Sequence, residues 1–186
     1  MWGYDMKRIA WGITGSGDQI VETYQVMKDI KERTDLEFMV FLSKEGETVM
    51  KWYRIWDDIQ RDFPNIKTGV GPNSPFIAGP LQVGHYDALI ISPATANSVA
   101  KIVHGIADTL VTNVVAQTAK GDTPIYILAV DQKRGTVDTY APSGKKMTLK
   151  MREVDVSNSE KLAQMENITL VEKPDDIYKI LGVENK

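Results

Sequence analysis

The stretch DALIISPATANSVAK, Asp87 to Lys101, decides the fold. Asp87–Ser92 reads as a short strand whose apolar run Ala88–Ile91 shows no polar alternation, the mark of a strand covered on both faces. Pro93 stops the run, and helical spacing begins at about Asn97. The same unit recurs on either side. Upstream, Lys7–Ile13 (KRIAWGI) is a buried strand that ends in a Gly-rich turn, and Ile20, Tyr24, Met27 and Ile30 give Asp18–Arg33 the stripe of an amphipathic helix. Leu36–Leu42 (LEFMVFL) is a second strand. Val49, Trp52, Trp56, Ile59 and Phe63 predict one helix over Glu47–Phe63. Downstream, a helix is predicted from about Leu110, and Ile125–Val130 (IYILAV) is a further buried strand. Strands separated by helices predict right-handed crossovers and a doubly wound, mainly parallel α/β sheet with helices on both faces. One domain over residues 1–186 accommodates the pattern.

Two segments break the rhythm. Pro64–Gly84 holds four of the eight prolines and four glycines, so it is read as an irregular connection, either functional or a cover for a sheet edge. In Asp131–Asn158, the β-prone runs Thr136–Tyr140 and Met147–Arg152 flank the Pro142-Ser143-Gly144 turn and predict a protruding β-hairpin, a flap over about 131–158.

Composition narrows the chemistry. The 186 residues carry 22 Lys+Arg against 25 Asp+Glu, a formal net charge of −3, which argues against a surface built for nucleic acid. The absence of Cys removes disulfides, thiolate nucleophiles and Cys-ligated metal, and two histidines, His85 and His104, make poor material for a metal site. No stretch approaches about 18 uninterrupted apolar residues, so neither a membrane span nor a signal peptide is expected, and the chain reads as cytoplasmic.

Three strand ends carry unusual residues, and ligands of open parallel sheets bind beyond such ends. Thr14-Gly15-Ser16-Gly17 leads into a helix, where close-approaching backbone N–H groups and the helix dipole suit an anion; an ordinary tight turn explains the same residues. The dinucleotide fingerprint fails, because Ile20 stands where a third Gly belongs and the second strand ends in Ser43-Lys44 rather than an acidic residue. A hydroxyl and an ammonium suit a terminal phosphate, so a mononucleotide fits better than NAD; Lys44 is equally readable as a solvated surface charge. At the third end, Ser92, Pro93, Ala94, Thr95, Ala96, Asn97 and Ser98 present mostly small side chains against which a flat ring can lie. Asn97 offers a donor and an acceptor to the alternating edge of a flavin pyrimidine. The competing reading makes Thr95 or Asn97 a helix N-cap.

The run SPATANSVAKIVHGIADTLVTN, Ser92–Asn113, with the Gly15–Gly17 turn and the Ser43-Lys44 strand end, resembles the FMN-binding flavoprotein family that includes flavin-containing cysteine decarboxylases and flavin prenyltransferases. The resemblance covers residues 7–130, with Ser98 where the family motif has Thr. It implies a flavodoxin-like fold, FMN as cofactor and a trimer-based homo-oligomer, up to a dodecamer or larger, with FMN near a subunit boundary. By the same resemblance Gly15, Ser16, Gly17 and Ser43 hold the ribityl phosphate and Thr95–Ser98 line the isoalloxazine. Gly105–Asp108 is implied to hold a helix–strand corner and a trimer contact.

Decarboxylases of that family carry a His about eight residues before the acidic residue that opens the third strand; counting back from Asp87 reaches Gly79. Their flap motif also uses a Trp, whereas Trp2, Trp11, Trp52 and Trp56 all lie outside 131–158. Both departures favour a flavin used for electron transfer. WGITGSG (11–17), SPFIAG (74–79), Asp131-Gln132-Lys133, and Val154-Asp155-Val156 near Met165-Glu166 resemble archaeal flavoproteins and dihydromethanopterin reductases. The expectation is therefore an FMN-dependent oxidoreductase that reduces a dihydropterin acceptor with electrons from ferredoxin or NAD(P)H, with Asn97 the candidate beside the reacting ring. A ferredoxin-linked electron-transfer flavoprotein with another acceptor is the alternative, and a cysteine decarboxylase a more distant one. Lys133, Arg134, Lys145, Lys146, Lys150 and Arg152 form a basic hairpin that either docks an acidic donor or is balanced by neighbours such as Asp138 and Glu153.

Overall fold

The computed structural model describes residues 7–185. In chain order the elements are β1 (Arg8–Ile13), α1 (Ile20–Arg33), β2 (Glu37–Leu42), α2 (Lys44–Trp52), α3 (Trp56–Asp62), β3 (Lys67–Thr68), α4 (Ala78–Gln82), β4 (Ala88–Ala94), α5 (Ala96–Val103), α6 (Leu110–Thr118), β5 (Ile125–Ala129), β6 (Thr136–Tyr140), β7 (Lys146–Lys150), α7 (Glu153–Leu162), β8 (Ile168–Leu170) and α8 (Asp176–Ile180). Six strands form one sheet in the order β3-β2-β1-β4-β5-β8, each pairing parallel. Leaving aside the two-residue edge strand β3, this is the 2-1-3-4-5 order of flavodoxin-like folds, whose winding reverses between β1 and β4. The hairpin β6–β7 is a separate antiparallel ribbon.

Side chains alternate across the sheet. Ile9, Trp11 and Ile13 of β1, with Ala88 and Ile90 of β4, face the layer built by α1, α2, α3 and α8. Ala10, Leu89, Ile91, Ile125 and Ile127 face the opposite layer of α4, α5, α6 and α7. Both faces are therefore dry, which is why the strands read as continuous apolar runs. Gly12 of β1 is required by packing: a Cβ there would fall 2.7 Å from both Ile91 Cδ1 and Phe41 Cζ.

The structure corrects several expectations. The helix predicted over Glu47–Phe63 is two helices. Arg54 takes φ 60°, the Arg54 N–H donates to Lys51 O and the Ile55 N–H to Met50 O, and the buried pair Met50 and Ile55 closes this left-handed helix end. Pro64–Gly84 is not structureless: it holds β3 and the short α4, where Pro80 sits in the first turn and so removes no helical bond. The Asn113 side chain pins this segment by donating to Pro72 O and Asn73 Oδ1, both at 2.8 Å. The second hairpin strand is Lys146–Lys150, and Arg152 caps α7 instead. Gly105–Asp108 joins two helices, α5 and α6, rather than a helix and a strand.

Candidate functional site

The reversal between β1 and β4 brings their carboxyl ends side by side, and hydrogen bonds stitch them. Thr14 is buried at the end of β1. Its N–H donates to Pro93 O at 3.1 Å, its hydroxyl donates to the same oxygen at 2.9 Å, and it accepts from the Thr95 N–H at 2.8 Å. One residue earlier in the motif, Ser92 O accepts from Trp11 Nε1 at 3.2 Å, and Ser92 Oγ pairs with Thr23 Oγ1 of α1 at 3.0 Å. The Ser92–Pro93 peptide is cis. The small-residue segment is thus fixed relative to the Gly-rich turn before any ligand arrives.

Each end opens a helix differently. Thr95 is the N-cap of α5, its Oγ1 accepting from the Ser98 N–H at 3.2 Å, and Ser43 is the N-cap of α2, accepting from the Gly46 N–H at 3.0 Å. The capping alternative for Thr95 is therefore realised, which leaves Asn97 exposed, its side-chain amide in no hydrogen bond among the described residues. At α1, by contrast, Gln19 is the N-cap with φ 60° and no side-chain bond to the helix, so its leading amides keep their donors. Gln19 Oε1 is buried without a partner among the described residues. Uncapped amides and an orphaned acceptor beside a Gly-rich turn match a ligand bearing both a phosphate and hydroxyls.

Glycine is needed at the turn because neighbours press against it. A Cβ on Gly15 would lie 2.7 Å from Glu45 Cβ and 3.0 Å from its carbonyl carbon, and one on Gly17 would lie 2.5 Å from Tyr53 Oη. Tyr53 reaches Gly17 because α2 ends there, and its hydroxyl donates to Tyr140 O at 2.7 Å. Thr139 Oγ1 donates to Asp18 Oδ1 at 3.0 Å. These two bonds tether β6 of the hairpin to the turn. Burial, then the nearby Asp18 and Glu22 carboxylates, push the Tyr53 phenol above its ordinary value.

Not every predicted residue joins this cluster. Lys44 is exposed and lines a shallow groove with Glu47, Lys51 and Thr68. The basic hairpin is largely neutralised: Arg134 pairs with Glu153 and Glu160, Lys146 with Asp138, Arg152 with Asp155 and Lys133 with Glu172. Lys145 and Lys150 form no ion pair among the described residues. At the position of the decarboxylase His stands Gly79, and the exposed Phe76 ring lies against it, 2.4 Å from where a Cβ would be.

Three residues at the mouth were not among the predicted site residues: Gln19 and Tyr53, which no motif marks, and Asp131, which the sequence marks only within the Asp131-Gln132-Lys133 resemblance. Asp131 follows β5, and the Val130 N–H bond to Ala94 O at 3.1 Å sets it beside the head of α5. Burial, then Asp155 and Asp18, raise its carboxyl above the usual range, opposed by the Ala96 amide and Arg152. A lone Asp after a buried strand was the available signal.

The flavoprotein family pattern matches residues 3–183. An uncharacterized protein of Methanocaldococcus jannaschii is 48% identical over 176 residues, covering 95% of each chain. A dihydromethanopterin reductase (acceptor) from the same organism is 40% identical over 179 residues, covering 89% of this chain and 71% of that one. Among solved structures, Burkholderia xenovorans DmrB in complex with FMN, described as a cubic protein cage for redox transfer, is 29% identical with a TM-score of 0.72 and covers 97% of this chain and 96% of that one. With a family match over nearly its whole length and a strand order to suit it, this chain belongs to the flavoprotein family.

Proposed function

We propose that this protein binds FMN at the stitched ends of β1, β2 and β4 and works as a flavin-dependent oxidoreductase. The observation that carries the reading is the fixed junction Thr14–Pro93–Thr95, which sets an uncapped helix N-terminus beside a segment of small side chains. In this reading Gly15, Ser16 and Gly17 hold the phosphate over the buried Thr14, whose N–H and hydroxyl are spent on Pro93 and Thr95, with Ser43 and Lys44 at the rim of that end. The Gln19 amide oxygen accepts from a ribityl hydroxyl. Thr95, Ala96 and Ser98 form the shelf for the ring, supported from beneath by the buried Ser92, Pro93 and Ala94, and Asn97 hydrogen-bonds its pyrimidine edge. When bound, FMN supplies the ring that carries electrons or hydride; the chain supplies orientation and electrostatics.

The substrate reading is reduction of a dihydropterin of the dihydromethanopterin type by electrons from a reduced donor. The 40% identical reductase supports it, and the 29% identical DmrB, which holds FMN, supports the flavin redox chemistry. The cage named for DmrB also supports assembly of this chain into a trimer-based oligomer. Ile106 on the α5–α6 corner, 47% exposed beside the apolar pocket of Ile102, Val115 and Ala116, offers a surface for it.

The test is stepwise. The purified protein titrated with FMN should bind one equivalent per chain and turn yellow; no uptake by calorimetry sinks the reading. The loaded protein, reduced anaerobically with ferredoxin or NAD(P)H, should be reoxidised by a dihydropterin. Reduction without dihydropterin turnover moves the function to electron transfer with another acceptor.

A further inference from the structure

One helix walls the turn that follows β1. Gly46 of α2 packs so closely under the strand end that a Cβ there would fall 2.9 Å from Ile13 O. Its neighbour Glu45 stands against Gly15, and Tyr53, at the far end of the helix, stands against Gly17. A second wall is β6 of the hairpin, where Thr139 Oγ1 donates to Asp18 Oδ1 at 3.0 Å. Tyr53 joins the two. Its hydroxyl donates to Tyr140 O at 2.7 Å. A Cβ on Gly17 would lie 2.5 Å from Tyr53 Oη, 2.9 Å from Cε2 and 3.0 Å from Cζ, so the ring as well as the hydroxyl presses on the turn. The backbone that carries this ring is locked. Tyr53 is the C-cap of α2, its N–H donates to Val49 O at 3.0 Å, and the left-handed Arg54 with the Ile55–Met50 bond fixes the chain just beyond it.

We propose that the Tyr53 side chain bars the phosphate end of this site to a flavin dinucleotide, so that the protein takes FMN and excludes FAD. The inference rests on the FMN reading above, in which Gly15, Ser16 and Gly17 hold a single phosphate. The two flavins share the ring, the ribityl chain and the first phosphate; FAD continues from there into a second phosphate and an adenosine. The ring shelf lies on the Thr14 side of the turn, because Thr14 is bonded to Pro93 and Thr95, so the continuation leads toward Gly17. There it meets the Tyr53 ring and its joint to β6. The chemistry is as unsuited as the space. The leading amides of α1 serve one phosphate, but the Tyr53 hydroxyl hydrogen is already spent on Tyr140 O, and the Asp18 carboxylate stands on the same ribbon. A second phosphate would lose water without gaining a donor and would face a like charge. Forcing a packed side chain aside costs about tenfold to 100-fold in affinity.

The experiment titrates the ligand-free protein with FMN, FAD and riboflavin by calorimetry, for wild type, Tyr53→Phe, Tyr53→Leu and Tyr53→Ala. Wild type is expected to prefer FMN over FAD by about 100-fold. Tyr53→Leu and Tyr53→Ala, whose side chains stop short of Gly17, should cut that preference about tenfold through tighter FAD binding. Tyr53→Phe keeps the ring carbons against Gly17 and should hold the preference within about threefold of wild type. A merely structural role for Tyr53 moves both affinities together, so a ratio that stays at the wild-type value in Tyr53→Leu and Tyr53→Ala overturns the inference. A Tyr53→Phe ratio as low as that of Tyr53→Ala overturns it too, because selection would then lie in the hairpin tether. If Tyr53→Ala does not fold, Tyr53→Leu decides. Wild type that binds none of the three flavins removes the FMN reading and this one together. Wild type that binds FMN and FAD equally removes only the bar, and riboflavin bound as tightly as FMN removes the phosphate from the turn and the bar with it.

Discussion

Replacing Thr14 with Val tests the junction on which the site depends. Val keeps the shape and β-branching but deletes the hydroxyl, which donates to Pro93 O at 2.9 Å and accepts from the Thr95 N–H at 2.8 Å. Pro93 O retains the Thr14 N–H at 3.1 Å, so its loss is partial. The Thr95 N–H retains nothing. A buried donor left without a partner costs about 1–3 kcal/mol; since Thr95 is half-buried and Thr14 fully so, the total is about 2 kcal/mol. For a chain of this length that lowers the Tm by about 4–8 °C. Thr14→Ser keeps both bonds and loses one methyl, about 0.8 kcal/mol. Urea unfolding of the three proteins without ligand gives the stabilities, and calorimetric titration with FMN gives the affinities. Thr14→Val should also bind FMN about tenfold more weakly, because the shelf at Thr95 is no longer fixed. If Thr14→Val proves as stable as Thr14→Ser, the hydroxyl is not what joins the two strand ends and the reasoning fails.

Three further outcomes follow from the same geometry. Asn97→Ala removes an exposed amide that makes no hydrogen bond among the described residues, so stability should change by less than about 0.5 kcal/mol while FMN affinity falls about tenfold, or about 1.4 kcal/mol; an unchanged affinity would reject Asn97 as a ring contact. Gly15→Ala drives a methyl into Glu45 and should destabilise by about 1–3 kcal/mol in urea unfolding, with FMN retention lost in parallel. Tyr24→Phe probes acid stability. The Tyr24 hydroxyl, bonded to Asp62 Oδ2 at 2.5 Å, holds the Asp62 carboxyl below its usual value, with Lys28 and Arg61 helping. A depressed carboxyl stabilises fully above its unfolded value of about 3.9, and the contribution disappears as pH falls through the folded value. Wild type should therefore exceed Tyr24→Phe by about 1 kcal/mol at pH 7, with the gap shrinking as pH falls below about 3.9 and through the folded value; a gap that does not change with pH contradicts the assignment.

The sheet was legible because both of its faces are buried: KRIAWGI, LEFMVFL and IYILAV have no polar alternation to confuse with an amphipathic helix. The short elements were not legible. Ile168–Leu170 pairs only as an edge, and three residues carry too little periodicity to stand out. The break at Arg54 was hidden because apolar spacing continues through it; the left-handed turn is chosen by the Met50–Ile55 contact, not by a Gly that a reader would notice. At the site, Thr14–Gly17 and Ser92–Ser98 were found because turn chemistry and small side chains are written locally. Gln19 and Tyr53 went unmarked because their places come from what lies across from them, and Asp131 stood out only as part of a resembling motif for the same reason. Of the two readings of the basic hairpin, the balanced one was legible from Asp138 and Glu153 inside the segment, whereas Glu160 and Glu172, which complete it, lie farther along the chain.

The ribbon β6–β7 has a further consequence. A lone two-stranded hairpin is marginal in water, and every residue of β7 is exposed, so its order leans on the bonds from Tyr53 and Thr139. Those bonds end on the very turn where the phosphate is expected. Opening of the ribbon and loosening of the turn are then one event, with a free energy well below that of global unfolding. Amide deuterium uptake in residues 136–150 should accordingly slow once the neighbouring loop is filled, making the most outlying part of the chain a reporter of occupancy at its centre.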